Sequence, residues 1–366
     1  MSKLFEKVIR PLLFSLPPET AHEWGINALR MGLVPGYQTD LFPEVERFGV
    51  KFRNPLGIAA GFDKNGVVVD QLANLGFGFV EVGTVTLEPQ PGNEKPRMFR
   101  LQEDKALINR LGFNNDGAER IAERLRKIKR NCVVGVNIGK NKEVPIEKAV
   151  ENYLGCFELI SPVADYIAIN VSSPNTPYLR DLQRAENLEE LLGPLQNGNR
   201  VLNAGKSTNP SNQEGEPKPK PLLVKIAPDL SDAEIEAIVD VCVRLEVSGI
   251  IATNTTISRT GLRTSSPERF GSGGLSGRPL AERSNEVISK IFRYSKEQLP
   301  IIGVGGVFTA EDAFEKIAAG ASLVQAYTGF IYGGPSFACD INVGLSEILK
   351  EKGFSQFDEA VGSAVR

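Results

Sequence analysis

Apolar positions in this 366-residue chain fall into short continuous runs separated by polar stretches. Eight runs are rich in β-branched residues: LGIAAG (56–61), FGFVEVG (77–83), CVVGVNIG (132–139), DYIAINV (165–171), PLLVKIAP (221–228), SGIIATN (248–254), PIIGVGG (300–306) and SLVQAYTG (322–329). Runs this short and apolar throughout predict strands buried on both faces. Between them lie stretches with helical spacing, at 115–129, 231–245 and 309–319. Ser231 and Thr309 stand at N-cap positions, with Glu234 and Asp312 three residues on. Alternating strands and helices argue for a parallel sheet under helices. Its economical closure is α/β of the (β/α)8 TIM-barrel kind; an open doubly wound sheet is the alternative.

Two pieces fall outside that pattern. Residues 1–36 precede the first run and predict a small N-terminal helical extension, leaving 37–366 as the barrel. In KLFEKVIRPLLFSL, Leu4, Phe5, Val8, Ile9, Leu12 and Leu13 are apolar at helical spacing. PPETAHEWGINALRMGLVP reads as a second short helix with Thr20 near its start. Residues 196–221 are polar, rich in Pro, Gly and Asn, and lack an apolar period, which predicts a mobile surface insertion.

Composition narrows the chemistry. Forty-two basic against 45 acidic side chains leave a net charge of −3, so the basic excess of a nucleic-acid binder is missing. Cys132, Cys156, Cys242 and Cys339 are too dispersed for CxxC-type metal or iron–sulfur spacing, and read as reduced thiols. No metal is expected. The single histidine, His22, leaves little room for histidine catalysis. No 18-residue apolar run or signal-peptide pattern follows Met1.

Every strand run ends in polar or glycine-rich residues: GFDKNG, GTVT, NIGKN, NVSSPN, KIAPD, TNTT, GVGG and YTG. In a barrel, these ends build the active site. Asn137, Asn170, Asn175 and Asn254 are expected to converge on one mouth, with NRLGFNN (109–115) over it. Several amides suit a flat ligand with alternating carbonyl and N–H groups, since each offers a donor and an acceptor; any one of them alone could equally cap a turn. GVGG and YTG occupy the usual phosphate position of such barrels, although glycines there also serve tight turns. Lys64 and Lys225 lie at strand ends, where a buried ammonium needs an anion or an electron-rich ring, unless it snorkels to the surface.

The motifs AAGFDKNG, EVGTVT, NRLGFNN, NVSSPNTP, VKIAPDL, ATNTT, GGLSGRPL and GVGG occur in this order. On them the chain resembles the dihydroorotate dehydrogenases, and within these the class 2, quinone-linked, FMN-containing enzymes, over nearly its whole length except 196–221. The resemblance implies oxidation of dihydroorotate to orotate in pyrimidine (UMP) biosynthesis. It implies FMN contacts at Ala60, Gly61, Thr84, Asn137, Asn170, Lys225, Thr253, Gly277, Gly306, Tyr327 and Thr328. It implies substrate contacts at Lys64, Asn109, Arg110, Leu111, Gly112, Phe113, Asn170, Asn175, Asn254 and Thr255. Ser173 matches the catalytic base, where the soluble class carries cysteine, and Thr176 is a candidate proton relay. The base would take a proton from C5 while a hydride leaves C6 for flavin N5. Lys225 would stabilise the reduced ring.

His22, Arg100 and Tyr327 match positions lining a quinone tunnel, with ubiquinone or menaquinone as acceptor. The N-terminal helices would then sit in a membrane interface, with Lys3, Lys7 and Arg10 near anionic head groups. That implies a peripheral protein, monomeric, on the cytoplasmic face of a bacterial-type inner membrane. A different flavin or phosphate-ligand barrel is the competing enzyme reading. A barrel that has lost catalysis and serves as a membrane-associated binding module is the non-enzyme one.

Overall fold

All eight apolar runs form strands, and these strands close on themselves. The computed structural model describes residues 4–37, 42, 44–204 and 219–366. Lys3 and residues 205–218 of the expected insertion lie outside them. In chain order the strands are β1 (Val45–Arg47), β2 (Val50–Phe52), β3 (Leu56–Ile58), β4 (Phe79–Val85), β5 (Met98–Leu101), β6 (Ala106–Asn109), β7 (Val133–Ile138), β8 (Tyr166–Asn170), β9 (Leu222–Ile226), β10 (Gly249–Ala252), β11 (Gly274–Gly277), β12 (Ile301–Val304) and β13 (Leu323–Ala326). Eight of them form a closed barrel in the order β3-β4-β7-β8-β9-β10-β12-β13. Each neighbouring pair, including β13 with β3, is parallel. Every residue of β4, β7, β8 and β9 is buried, as expected when helices cover the outside and side chains fill the inside.

The helices are α1 (Arg10–Ser15), α2 (Pro18–Arg30), α3 (Val69–Asn74), α4 (Ala118–Leu125), α5 (Ala149–Ile160), α6 (Ala185–Ala204), α7 (Asp232–Arg244), α8 (Ala281–Tyr294), α9 (Ala310–Ala318), α10 (Thr328–Gly333), α11 (Phe337–Glu351) and α12 (Phe357–Ala360). Ser231 and Thr309 cap α7 and α9, each in a reciprocal box with Glu234 or Asp312. The third expected helix starts three residues late, because Asn115 is used otherwise. Its amide donates to Thr86 Oγ1 (2.8 Å) and the Phe113 carbonyl (2.8 Å), and accepts from the Gly117 N–H (2.9 Å).

One expectation needs correction, and two features go beyond the sequence pattern. The first N-terminal helix is not uniform: a π-helical turn, Phe5–Ile9, runs into α1, and the Arg10 N–H bonds back to Phe5 O. Pro11 follows at the start of α1 and has no N–H to donate, so the α-ladder is interrupted there in any case. The polar stretch from 196 is not all insertion. Helix α6 runs on to Ala204, with Leu188, Leu191, Leu192 and Leu195 buried beneath it. Its polar residues bond neighbouring elements instead of water: Gln196 donates to the Leu245 and Glu246 carbonyls (2.9 and 3.0 Å) and Asn199 to that of Lys220 (2.7 Å). Finally, β5, β6 and β11 form an antiparallel sheet beside the barrel that the apolar pattern does not announce.

The N-terminal segment docks on this sheet and on α10. Phe14 packs edge-on against Tyr332 (5.1 Å between centroids), and Arg10 donates to the Tyr332 carbonyl (3.0 Å). Arg100 of β5 donates to the Phe14 carbonyl (2.9 Å) and lies over the Phe14 ring. Arg97 meets the Glu19 carboxylate of α2 at 2.7 Å.

Candidate active site

The C-terminal strand ends enclose a cleft of about 1010 Å³, open mouth included. Of the residues expected in the cleft, all line it except Asn137 and Arg110. Asn137 lies one layer below, fully buried, where its Oδ1 accepts from Thr84 Oγ1 (2.6 Å) and Asn170 Nδ2 (3.1 Å). It therefore supports two lining residues instead of facing the mouth. Arg110 turns away, stacking over Phe99 and donating to the Ser272 carbonyl (2.9 Å). Its backbone still holds the loop, through an N–H to Arg97 O at 2.8 Å.

One end of the cleft is built from backbone. Gly305 and Gly306 follow β12 with φ of 129° and 75°, and Gly277 has φ 103°. A Cβ at Gly306 would stand 2.3 Å from the Ala281 Cβ, so only glycine lets α8 begin against this turn. Val304, Val307, Thr328 and Gly329 complete this end.

The other end is built from amides and hydroxyls. Asn170 Oδ1 accepts from the Ser172 hydroxyl (3.1 Å) and the Asn254 amide (3.4 Å). Asn254 also donates to Ser172 Oγ (2.9 Å), while Asn175 donates to Asn109 Oδ1 (3.4 Å). The two adjacent serines thus separate. Ser172 is tied into the wall, whereas Ser173 lines the cleft and accepts only the Asn175 N–H, at 3.2 Å, among its side-chain bonds.

Beneath the cleft lies a polar layer the sequence reading missed. The Glu81 carboxylate is fully buried and accepts from Tyr166 OH (3.0 Å), Gln325 Nε2 (2.7 Å), Asn137 Nδ2 (2.9 Å) and Lys225 Nζ (3.5 Å). Three neutral donors and an ammonium offset the cost of burying that charge. The available signal was a lone acid inside the apolar run FGFVEVG. Asn114 Oδ1, Thr253 Oγ1 and Gln325 Oε1 are buried without a protein partner, and all three residues line the cleft. Buried polar atoms of this kind call for a ligand with matching donors and acceptors. A flat heterocycle carrying a phosphate fits this set: orphaned polar atoms and a lysine at the floor, glycine backbone at one end.

Lys64 stands on the loop after β3 and lines the cleft. Burial pushes its pKa down to about 8, against the pull of Glu19. His22 and Arg100 do not line the cleft. His22 packs edge-on against Phe62 (5.0 Å), and Phe62 against Tyr327 (6.0 Å), so rings connect α2 to the cleft wall. Burial, and then the Lys64 charge, push the His22 pKa down to about 3, leaving a neutral imidazole at ordinary pH.

A closed parallel barrel with such a cleft at its C-terminal strand ends defines a (β/α)8-barrel enzyme. The chain belongs to the dihydroorotate dehydrogenase family: the family's model matches residues 43–349. It is 48% identical over 368 residues to the dihydroorotate dehydrogenase (quinone) of Mycobacterium sp. (strain KMS), with 98% of each chain covered. It is 49% identical over 349 residues to the enzyme of that name from Christiangramia forsetii, covering 93% of this chain and 98% of the relative. Among solved structures it resembles the DHODH of Eimeria tenella in complex with ferulenol, with TM-score 0.88 and 38% identity over 97% of this chain and 99% of that one.

Proposed function

We propose that this protein oxidises dihydroorotate to orotate on bound FMN and passes the electrons to a membrane quinone. One observation carries the reading: the Ser173 hydroxyl and convergent amides lie at one end of a cleft whose other end is glycine backbone, with Lys64 and Lys225 in its lining. FMN, when bound, supplies the acceptor for the hydride leaving C6. Gly277, Gly306 and Thr328 would hold its phosphate end, and Thr84, Asn170, Lys225 and Thr253 its ring. Asn137 would act through Thr84 and Asn170.

Lys64 binds the substrate carboxylate as a cation. Asn109, Asn175, Asn254 and Thr255 orient the ring by pairing with its carbonyl and N–H groups. Ser173 Oγ takes the C5 proton. The Asn175 N–H stabilises the hydroxyl oxygen as it loses its own proton. The buried Thr176 hydroxyl has no protein partner and is the candidate to relay that proton outward. Phe113 and Leu111 keep water from the reacting carbons.

Quinone reduction belongs to the N-terminal side. The dihydroorotate dehydrogenase (quinone) of Mycobacterium sp. (strain KMS) is matched over 98% of this chain, a share too large to leave out residues 1–36. Ring contacts from His22 through Phe62 to Tyr327 connect the N-terminal helices to the cleft wall. Exposed Leu4, Val8, Ile9, Leu12 and Trp24 suit a membrane interface, although among the described residues no helix is long and apolar enough to cross a membrane. The test is an absorbance spectrum of the purified protein before and after anaerobic dihydroorotate. A yellow protein that bleaches supports the reading; a colourless protein that takes up no FMN, or a flavin that does not bleach, overturns it.

A further inference from the structure

We propose that Arg180 and Asp229 are positioning residues that strap the Ser173 loop to the loop carrying Asn254 and Thr255. The proposal rests on the reading of the cleft given above. Neither residue lines the cleft. Arg180 lies in the 3-10 turn Leu179–Gln183, which ends the loop that carries Ser173. Its guanidinium donates in three directions: Nε to Ser172 O (3.1 Å), Nη2 to Thr255 O (3.1 Å) and Nη1 to Asp229 Oδ2 (2.9 Å). Asp229, on the loop after β9, accepts in turn from Thr256 Oγ1 and from the Ile257 N–H at 3.2 and 3.3 Å. One planar fork therefore ties together the loops that follow β8, β9 and β10.

The value of this tie is geometric. The two side chains are 23% and 20% exposed, and a partly solvated ion pair alone contributes only about 0–1 kcal/mol. A guanidinium, however, fixes its donors in one plane, whereas an ammonium is a point charge on a flexible stem. The two carbonyls it holds belong to Ser172, next to the base, and to Thr255, a substrate contact. Slack between these loops moves the base relative to the carbon it must deprotonate. A displacement of about 1 Å in such a pair costs up to roughly 10²-fold in rate.

Arg180→Lys keeps the charge beside Asp229 but cannot reach both carbonyls. Asp229→Asn keeps the shape but loses the ion pair. In the FMN-loaded full-length protein, Arg180→Lys is expected to lower the limiting rate of flavin reduction by dihydroorotate about tenfold or more. Orotate affinity, and reoxidation of dithionite-reduced flavin by quinone, should stay within about threefold of wild type, a split that marks lost alignment and not lost binding. Amide exchange at 171–177 and 254–257 should accelerate in the same variant. Asp229→Asn should shift the same readouts less, because Arg180 keeps its two carbonyls. Wild-type reduction and wild-type exchange in Arg180→Lys would overturn the proposal. So would equal slowing of both half-reactions with a lowered melting temperature, which would make the strap a scaffold contact. If dihydroorotate fails to bleach the wild-type flavin, the functional reading fails, and the exchange comparison still judges the strap.

Discussion

On the N-terminal segment Leu4, Val8 and Leu12 are 54%, 56% and 61% exposed; in the cleft Asn170, Ser173 and Lys225 are 3%, 5% and 5% exposed. The two regions depart from ordinary burial in opposite directions. Apolar groups left in water favour an apolar surface. Polar groups withdrawn from water favour a polar ligand. In the proposed function, the electron acceptor belongs to the first region and the electron donor to the second. They meet at Tyr327, which lines the cleft and reaches His22 through Phe62.

The sharpest way to break the cleft side alone is Ser173→Ala. Flavin reduction by dihydroorotate should slow by roughly 10²-fold or more, while orotate still perturbs the flavin spectrum at similar concentrations. Stopped-flow absorbance checks this, and a wild-type rate would remove Ser173 from its role. Gly306→Ala comes next. It places a Cβ against Ala281 at a backbone φ of 75°, so a loss of roughly 1–3 kcal/mol in stability is expected, with flavin leaving the protein. Thermal melting and flavin content measure both.

The N-terminal side is broken more gently. Val8→Glu with Leu12→Glu should weaken binding to anionic vesicles and slow reoxidation by a long-tailed quinone several-fold, yet leave a small soluble quinone unaffected. Removing residues 1–36 outright is a poorer probe. It would strip Glu19 from the buried Arg97 guanidinium, which also holds the Pro91 and Asn93 carbonyls (both 2.7 Å) beside the substrate loop. The smallest effect is on pH. Lys64 is charged below its pKa of about 8 and loses its charge above it. Raising the pH from 7 to 8 should therefore lower kcat/KM for dihydroorotate by about twofold, and Lys64→Gln should flatten that limb of the profile at a lower rate.

Much of this was legible in the sequence because strand burial and strand-end chemistry are local. Eight apolar runs announced eight barrel strands, and two capping boxes marked the starts of α7 and α9. The pattern failed where polar residues are satisfied by distant partners. Gln196 and Asn199 made the end of α6 look like an insertion, since nothing local shows their carbonyl partners. Asn137 looked like a cleft residue because it ends a strand, yet its side chain drops into the layer with Glu81. Arg180 and Asp229 could not be singled out at all. Their importance lies in joining three loops that are 49 and 75 residues apart in sequence from Arg180.

The division between donor and acceptor sides is tested most directly by sequential mixing. Wild type, Ser173→Ala and the Val8→Glu, Leu12→Glu double variant are each reduced anaerobically with dihydroorotate and then mixed with long-tailed quinone in vesicles. Ser173→Ala should be slow only in the first step, and, once reduced with dithionite, should be reoxidised at the wild-type rate. The double variant should be reduced at the wild-type rate and be slow only in the second step. A defect of either variant in both steps would contradict the assignment of the two half-reactions to separate regions.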